Sequence, residues 1–277
     1  MKYQNITPPD YVERKFCEEI FYHLDEYYND DILLLVRAWD QTPPFPSQRY
    51  ISIVTSAEGH TYIPEEKDDP NCMGVFMHYP PKTSLKHQFS TDDFLTPNNV
   101  YPLQLGETKF FKGHPRIPIN QRPIDVSFVG QFDPYRRADF YEVIKDGMAD
   151  TIDNSVFHFY QGWNNGIGDR YSDIMTNTKV ALVPCGSASL DTFRFYEAAK
   201  AGCIIICPPQ NNYDFMEDAP YIPIPSWGIL KHILEIVLRD EKLLYRRSLK
   251  TRNFWEEHLS PEAASFYIQE KLCTELT

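Results

Sequence analysis

The sequence predicts an α/β protein built on parallel sheets, and two observations support this prediction. From residue 123 onward, short apolar strands such as "KVALVP" and "CIIIC" alternate with helical patterns of similar length. Strands that alternate with helices in this way form parallel sheets joined by right-handed crossovers. The chain has 277 residues, 42% of them hydrophobic, which is enough for two small domains or one large one.

The first region of the chain combines one helix with several strands. "DYVERKFCEEIFYHLDEYY" has apolar residues near helical spacing, and "DILLLVRAWD" is an apolar run that predicts a buried strand. "RYISIVTSAEGHTYIP" and "CMGVFMHYPP" predict two further units of strand and turn. The segment 84–122 is polar and dotted with proline, so we expect loops and short strands there.

The second region begins near Pro123 and shows the alternation most clearly. "IDVSFVGQFDPYRRADFYEVIKDGM" predicts strand, turn and helix, while "LDTFRFYEAAKAG" and "CIIICPP" predict the next helix and strand. The end of the chain is helical almost throughout. We therefore expect a first domain at 1–122, a second at 123–250 and C-terminal helices at 251–277. Whether these helices cross back to the first domain stays open.

Charge and composition narrow the class of protein. The net charge of −12 argues against nucleic acid or an anionic membrane as the main partner, because attraction to phosphate needs a basic face. We find neither a signal peptide nor a run of about 20 apolar residues that would span a membrane, so we expect a cytoplasmic protein. The six cysteines form no CxxC pair, which predicts free thiols. The sequence does not indicate an oligomeric state.

The turn after the strand "KVALVP" has the composition of a phosphate-binding turn. Gly186 permits close approach of the backbone, and Ser187 and Ser189 offer hydroxyl groups. We expect these serines to cap the following helix and its first amide groups to meet an anion. Ligands of open parallel sheets bind at such turns, beyond the carboxyl ends of the strands.

Arg194 and Glu197 lie three residues apart on the helix that follows this turn, and they point to one face. The planar guanidinium group of Arg194 can bind phosphate, and the carboxylate of Glu197 can accept hydrogen bonds from the two hydroxyls of a ribose. We expect the helix to end at Gly202, a typical left-handed cap. Spacing alone leaves an alternative open, namely an ordinary Arg and Glu pair on a solvated helix.

A second turn strengthens the phosphate interpretation. In "SFVGQFDPYRR", Gly130 ends a strand, and Arg136 and Arg137 stand at the start of the following helix. Two turns in one half of the chain, each with a glycine at a strand end and an arginine downstream, are the pattern expected of a site that clamps a diphosphate.

The segment "MTNTKVALVPCGSASLDTFRFYEAAKAGCIIIC", together with "VSFVGQFDPYRR", resembles the signature of the exostosin-type glycosyltransferases. The resemblance covers about the carboxyl-terminal half of the chain. It implies a GT-B architecture, in which two Rossmann-like domains face a cleft and the first domain is small here. It also implies an inverting enzyme that moves a sugar, a hexose or a pentose, from a nucleoside diphosphate to a glycan hydroxyl. A UDP-sugar is the expected donor substrate, and no cofactor is required.

The resemblance assigns roles to the residues of both turns. It assigns Glu197 to the ribose, and Arg194 with the turn Gly186 to Ser189 to the diphosphate. Arg136 or Arg137, after Gly130, would contact the same phosphates or the sugar.

Candidates for the catalytic base lie after strands of the first region. Asp40 closes "ILLLVRAWD", and Glu58 and His60 lie in the turn "SAEGHTY". The alternatives left open are that Asp40 begins the turn before "QTPP" and that His60 is a structural or surface residue, as an isolated histidine more often is. The acidic doublets at 30–31, 68–69 and 92–93 fall in polar connections, so we interpret them as surface charge and expect no metal. The alternative function is a non-catalytic module that binds nucleotide or glycan. A dehydrogenase is disfavoured because no GxGxxG motif with a downstream acid is present.

Overall fold

The computed structural model divides the chain into two compact units, each built on a five-stranded parallel sheet. Unit 1 contains Met1–Lys109, Asn211–Phe215 and His258–Thr277, and unit 2 contains Phe110–Gln210 and Met216–Glu257. The structure describes residues 1–57, 61–82, 97–113, 117–133, 135–148, 152–160, 168–186 and 189–274.

Unit 1 has a sheet whose strand order follows the chain, β1-β2-β3-β4-β5. Strands β2 and β3 are buried along their whole length, as expected of parallel strands covered on both faces. The short β1 is paired with β2 and was not predicted from the sequence. The elements are β1 (Lys2–Asn5), α1 (Arg14–Asp25), β2 (Leu33–Ala38), β3 (Tyr50–Thr55), β4 (Cys72–Met77), β5 (Val100–Pro102) and, at the end of the chain, α7 (Pro261–Thr274).

Helix α1 shows how the sequence pattern produces the packing of unit 1. Its buried residues Phe16, Cys17, Ile20 and Leu24 recur at intervals of three and four, so they form one apolar face. Helix α7 packs against α1 and against β4. The C-terminal helix therefore belongs to the body of unit 1.

Unit 2 has the strand order β7-β6-β8-β9-β10. The chain runs from β6 to β7 on one side and then returns to β8 on the other side of β6. This reversal places a topological switch point between β6 and β8. The elements are β6 (Ile124–Gln131), α2 (Ala138–Val143), β7 (Ser155–Tyr160), α3 (Gly168–Thr176), β8 (Thr178–Leu182), α4 (Phe193–Ala201), β9 (Ile204–Cys207), β10 (Ile222–Pro223), α5 (Leu230–Arg239) and α6 (Glu241–Phe254).

The core of unit 2 lies between its sheet and the surrounding helices. Phe128 of β6 packs edge-on against Phe140 of α2, which in turn contacts Trp227. Helix α4 ends at Gly202, whose φ of 67° is left-handed, as predicted from the sequence. The prediction of two α/β units with parallel sheets is confirmed.

Two further observations concern the state of the cysteines and the search for a membrane-spanning helix. All six cysteines are free thiols, and four of them are buried. Within the described ranges, we find no helix with the length and apolar character needed to cross a membrane.

Candidate functional site

The two turns singled out in the sequence follow neighbouring strands of unit 2. The turn after β6 leads to Arg137, and the turn after β8 leads to Arg194. These strands flank the switch point of the sheet, where the loops separate and leave room for a ligand. The fold therefore brings both predicted turns to one place.

Arg194 lies across the end of β6. Its side chain is 8% exposed, and its Nε and Nη2 atoms donate to the carbonyl oxygen of Val129 at 2.9 and 2.6 Å. The guanidinium carbon lies 4.6 Å from the centre of the Phe128 ring, a cation–π contact. Three constraints therefore fix the guanidinium group in one position.

Gly130 explains how Arg194 reaches this position. A Cβ atom at position 130 would lie 2.9 Å from the guanidinium carbon of Arg194 and closer still to its Nη2 atom. Any larger residue would push the guanidinium group away from the strand end. Glycine is thus required by the close approach of a side chain from the second turn.

Arg137 ties the two turns together. Its Nε atom donates to the carbonyl oxygen of Cys185 at 2.8 Å, and its Nη1 atom donates to that of Gln131 at 2.7 Å. The residue is 5% exposed. Burial, and then the positive charge of Arg194, lower the pKa of Arg137 to about 10. Two guanidinium charges are therefore buried close to one another.

The positive charge of this pair is met by no direct ion pair among the described residues, and the charge of Asp133 offsets the lowering of the Arg137 pKa only in part. Among the residues that the structure describes, neither Arg137 nor Arg194 forms an ion pair with a carboxylate, and the Nη1 atom of Arg194 is buried without a hydrogen-bond partner. Buried charges are costly unless they are paired. The described residues contain no group of three or more His, Cys, Asp or Glu that could hold a metal ion. The arrangement is suited to an anion.

Glu197 lies one turn further along α4 and is 2% exposed. Its Oε2 atom accepts a hydrogen bond from the hydroxyl group of Tyr171 on α3. Burial, and then the charge of Glu197, raise the pKa of Tyr171 far above its ordinary value, so this hydroxyl remains a donor. The interpretation of Arg194 and Glu197 as a surface ion pair is therefore wrong, because both are buried and Arg194 makes no ion pair within the described chain.

The turn after β8 is folded tightly on itself. A Cβ atom at Gly186 would lie 3.1 Å from the carbonyl oxygen of Ser189 and closer still to that of Asp191. The hydroxyl of Ser189 accepts from the amide of Asp191 at 3.2 Å. Helix α4 begins after this hydrogen bond. Thr192 is its N-cap residue, but the Thr192 side chain forms no capping hydrogen bond. The prediction that Ser189 caps the helix is wrong because its hydroxyl is engaged earlier in the turn.

Two other predicted donor residues have different outcomes. Ser187 lies outside the described residues. Arg136 is partly buried in the turn after β6, where its amide donates to Asp133 Oδ1 at 3.2 Å and its carbonyl oxygen accepts from the thiol of Cys185 at 3.6 Å. Arg136 therefore joins the two turns through its backbone.

The catalytic candidates belong to unit 1. Asp40 is exposed and follows the carboxyl end of β2, whereas Glu58 and His60 lie outside the described residues. Nearby, Ser56 directly follows β3 with a φ of 54°, and its hydroxyl donates to the buried Glu13. The sequence analysis did not single out Ser56 or Glu13, although a left-handed backbone at a strand end is a feature often found at functional sites. Their backbone angles and pairing leave no signal in composition.

Among the comparisons with known proteins, matches were found only for solved structures, and these matches concern the fold. Neither a protein-family model nor a curated protein sequence matches the chain. A solved alpha-glucosyltransferase, in complex with UDP-glucose and DNA containing an abasic site, superposes with a TM-score of 0.50 at 12% identity. That match covers 95% of this chain and 84% of the other.

Two further solved structures superpose equally well. WaaG, a glycosyltransferase involved in lipopolysaccharide biosynthesis, gives a TM-score of 0.50 at 13% identity, covering 96% of this chain and 99% of its own. Sucrose-phosphate synthase from Thermosynechococcus elongatus gives 0.50 at 10% identity, covering 98% and 80%. At such identities the likeness concerns the fold, and the predicted GT-B architecture is confirmed.

Proposed function

We propose that the chain is a glycosyltransferase that moves a sugar from a nucleoside diphosphate, with a UDP-sugar as the expected donor, to a glycan hydroxyl. One observation carries the proposal. Arg137 and Arg194 are buried side by side at the switch point of unit 2 without a carboxylate partner among the described residues. A diphosphate would supply the missing negative charge through charge-assisted hydrogen bonds.

Each residue of the site has a role in this proposal. Arg137 and Arg194 bind the diphosphate, with help from Arg136 and from the turn Gly186 to Ser189, which includes Ser187. Glu197 accepts hydrogen bonds from the ribose hydroxyls, and Tyr171 holds its carboxylate in place. The position of Glu197 one helical turn beyond Arg194 supports this division, because a ribose lies next to the diphosphate in every nucleoside diphosphate.

The reaction proposed is a direct displacement with inversion, as in the exostosin-type glycosyltransferases that the sequence resembles. The acceptor oxygen forms a bond to the anomeric carbon while the bond to the diphosphate breaks and its electron pair leaves with the phosphate oxygen. Arg137 and Arg194 would stabilise the departing negative charge. Since these two cations already supply positive charge, we expect turnover without an added metal.

The proton of the acceptor hydroxyl passes to a base that we assign to unit 1. Asp40, Glu58 and His60 remain the candidates. The exposure of Asp40 at the carboxyl end of β2 supports its assignment, since a base must be reachable by the acceptor. We propose a glycan as the acceptor and not DNA, because the net charge of −12 opposes binding of a polyanion.

The proposal is tested by incubating the chain with UDP-glucose, UDP-galactose, UDP-xylose and UDP-glucuronic acid, with a glycan panel and with EDTA. Release of UDP together with a new glycoside supports transfer, and the anomeric configuration of the product, read by NMR, tests inversion. Binding of UDP with no turnover on any pair would favour a non-catalytic module. Absence of UDP binding would overturn the proposal.

The base is tested separately with Asp40→Asn. If Asp40 is the base, turnover falls strongly while UDP affinity stays at its wild-type value. Near-normal turnover would eliminate Asp40 and leave the turn that contains Glu58 and His60.

A further inference from the structure

A hydrogen-bonded turn at the carboxyl end of β2 presents two exposed side chains in unit 1. The turn spans residues 38–41, and the amide of Gln41 donates to the carbonyl oxygen of Ala38 at 3.1 Å. Its two central residues are Trp39 and Asp40, and both are exposed. Open parallel sheets bind ligands at the edge where the carboxyl ends of their strands lie. The turn therefore lies where a ligand of unit 1 is expected.

The backbone of this turn is tied to both neighbouring strands. The side chain of Gln41 accepts from the amide of Ala38 at 2.8 Å and donates to the carbonyl oxygen of Ile6, just after β1, at 3.0 Å. The amide of Trp39 donates to the carbonyl oxygen of Thr55, at the end of β3, at 3.1 Å. Since β2 lies between β1 and β3, these hydrogen bonds fix the turn from two sides.

The buried side chain of Arg37 supports the same turn from the interior. Its Nη1 atom donates to the carbonyl oxygens of Ala38 and Gln41 at 3.1 and 3.0 Å. Its Nη2 atom donates to the hydroxyl of Tyr62 at 2.9 Å and to Oε2 of Glu66 at 2.6 Å. The guanidinium carbon lies 5.4 Å from the centre of the Tyr62 ring. One buried ion pair therefore holds both the turn and Tyr62 in place.

The indole ring of Trp39 packs against Tyr62. The two ring centres are 6.2 Å apart and the ring planes meet at 64°, an edge-to-face contact that orients the indole. Trp39 nevertheless keeps 47% of its surface exposed. A single exposed aromatic residue is common on protein surfaces. Trp39 differs because its turn is held rigidly and because the exposed carboxylate of Asp40 stands next to it.

We propose that Trp39 and Asp40 bind the acceptor saccharide. The C–H face of a sugar ring packs on the flat indole, and sugar hydroxyl groups donate to the carboxylate of Asp40. Because the turn is already ordered, little conformational entropy is lost when the sugar binds. This inference rests on the proposed function, since it takes the saccharide to be the acceptor of the transfer. It also brings that acceptor to a candidate for the catalytic base.

The test is fluorine NMR on the full chain labelled with fluorotryptophan. The chain has four tryptophans, and Trp39→Phe identifies the Trp39 resonance by its loss. Methyl α- and β-glycosides of glucose, galactose, mannose, xylose and N-acetylglucosamine are titrated separately. We expect at least one glycoside to shift the Trp39 resonance to saturation, while the resonance of Trp227, in the core of unit 2, stays unchanged. No saturable shift, or a uniform shift of every tryptophan resonance, would overturn the proposal.

Variants of the turn are compared by saturation-transfer NMR with the glycoside that shifts Trp39. Trp39→Leu should weaken its binding about three- to tenfold, because the aromatic surface is lost. Asp40→Ala should weaken it about tenfold or more, because hydrogen bonds to a charged group are stronger. Tyr22→Leu, at an exposed aromatic position of α1 in unit 1, is the matched control and should bind like the wild type. Wild-type affinity in either turn variant would overturn the proposal.

A second substitution at position 39 separates stacking from a structural role. Trp39→Phe keeps an aromatic ring and should bind the glycoside more tightly than Trp39→Leu, whereas equal losses in the two would contradict stacking. Both variants should keep the urea midpoint of the wild type, because Trp39 is exposed. In turnover assays, Trp39→Leu should raise KM for the acceptor and leave kcat nearly unchanged.

UDP affinity, measured by calorimetry on the same samples, distinguishes this inference from the proposed function. It should be the same in the wild type and in the variants of Trp39. Failure of the wild type to bind UDP would count against the donor site and leave the glycoside result intact. Normal UDP binding without a shift of the Trp39 resonance would count against the saccharide site alone.

Discussion

Buried arginines are held in different ways in the two units. In unit 1, Arg37 is 1% exposed and pairs with the equally buried Glu66, with Nη2 donating to Oε2 at 2.6 Å. Tyr62 accepts a further hydrogen bond from Arg37 at 2.9 Å. Burial alone lowers the pKa of Arg37, but the carboxylate of Glu66 outweighs it and raises the pKa above its ordinary value. The protein itself therefore supplies both the counter-charge and the hydrogen-bond acceptors of Arg37.

In unit 2, Arg137 and Arg194 have carbonyl oxygens as partners and repel one another. The pKa of Arg137 is lowered, in the opposite direction to that of Arg37. Burial alone therefore does not decide whether an arginine is structural. What decides is whether the protein itself supplies the counter-charge.

Arg122 shows that a buried arginine without a carboxylate can still be structural. Its Nη2 atom donates to the carbonyl oxygen of Ala201 at 2.5 Å, and its Nη1 atom donates to that of Thr178 at 2.7 Å. Ala201 ends α4, where the helix dipole is negative and favours a cation. Arg194 lies at the opposite, positive end of the same helix, where the dipole adds to the cost of its charge.

Removing the charge of Arg37 should have the largest effect on stability. Arg37→Met leaves Glu66 buried without its partner, which costs about 3–5 kcal/mol. We expect a clear fall in the urea midpoint of unfolding, followed by circular dichroism. The double variant Arg37→Met with Glu66→Gln should recover part of this loss. An unchanged midpoint in the single variant would contradict the view of this pair as structural.

The same substitution at Arg194 should affect binding and not stability. Truncating one partner of a buried charge pair costs about 2–5 kcal/mol, so Arg194→Met should weaken UDP binding by about 30-fold or more. The urea midpoint should stay near that of the wild type, because an unpaired buried charge has been removed. Calorimetry measures the affinity, and Arg246→Met, at an exposed position of α6, is the control. If Arg194→Met were destabilised and still bound UDP with normal affinity, Arg194 would be a structural residue like Arg37, and the proposed contrast between the two would be wrong.

Glu197→Gln should weaken UDP binding by about 10- to 100-fold, since hydrogen bonds to a charged group contribute about 1.5–3 kcal/mol. The preference of the wild type for UDP over 2′-deoxy-UDP should shrink in the variant. Glu235→Gln, at an exposed position of α5, is the matched control. Unchanged affinity in Glu197→Gln would eliminate the assignment to ribose.

Gly130→Ala should weaken UDP binding about tenfold, because the new methyl group collides with the guanidinium group of Arg194. Gly228→Ala is a suitable control, since its nearest neighbour would be 3.6 Å away. Equal UDP affinities for the two variants, again measured by calorimetry, would show that the position of Arg194 is unimportant for binding.

Tyr171→Phe should have the smallest effect, about three- to tenfold on UDP affinity, because it removes a single hydrogen bond to Glu197. The loss should be absent in a Glu197→Ala background, where no side-chain acceptor remains for the Tyr171 hydroxyl. Tyr245→Phe, at an exposed position, is the control. Additive losses in the double variant would contradict the positioning role of Tyr171.

The sequence predicted the parts of the site that are local. Gly130 and Gly186 were singled out because they lie at or near strand ends, where parallel sheets bind ligands, and Arg137 and Arg194 because they lie near the start of the helix that follows. The left-handed cap at Gly202 was also predictable from local sequence, because such caps are usually formed by glycine.

Features that depend on packing could not be predicted. Tyr171 is 26 residues away from Glu197 in sequence and meets it through the packing of α3 on α4. The start of α4 at Phe193 depends on which of several polar residues the turn engages. Ser189 lies three residues before the N-cap Thr192 and accepts from the amide of Asp191 instead of capping the helix. The burial of Arg194 and Glu197 required the strand ends to be placed around them.

The most direct test of the donor site compares UDP with uridine on the wild type, Arg194→Met and Glu197→Gln by calorimetry. We predict that Arg194→Met weakens UDP binding strongly and leaves uridine binding unchanged, because uridine has no diphosphate. Glu197→Gln should weaken both ligands by the same factor, because both carry the ribose. Equal losses for UDP and uridine in Arg194→Met would contradict the assignment of the paired arginines to the diphosphate.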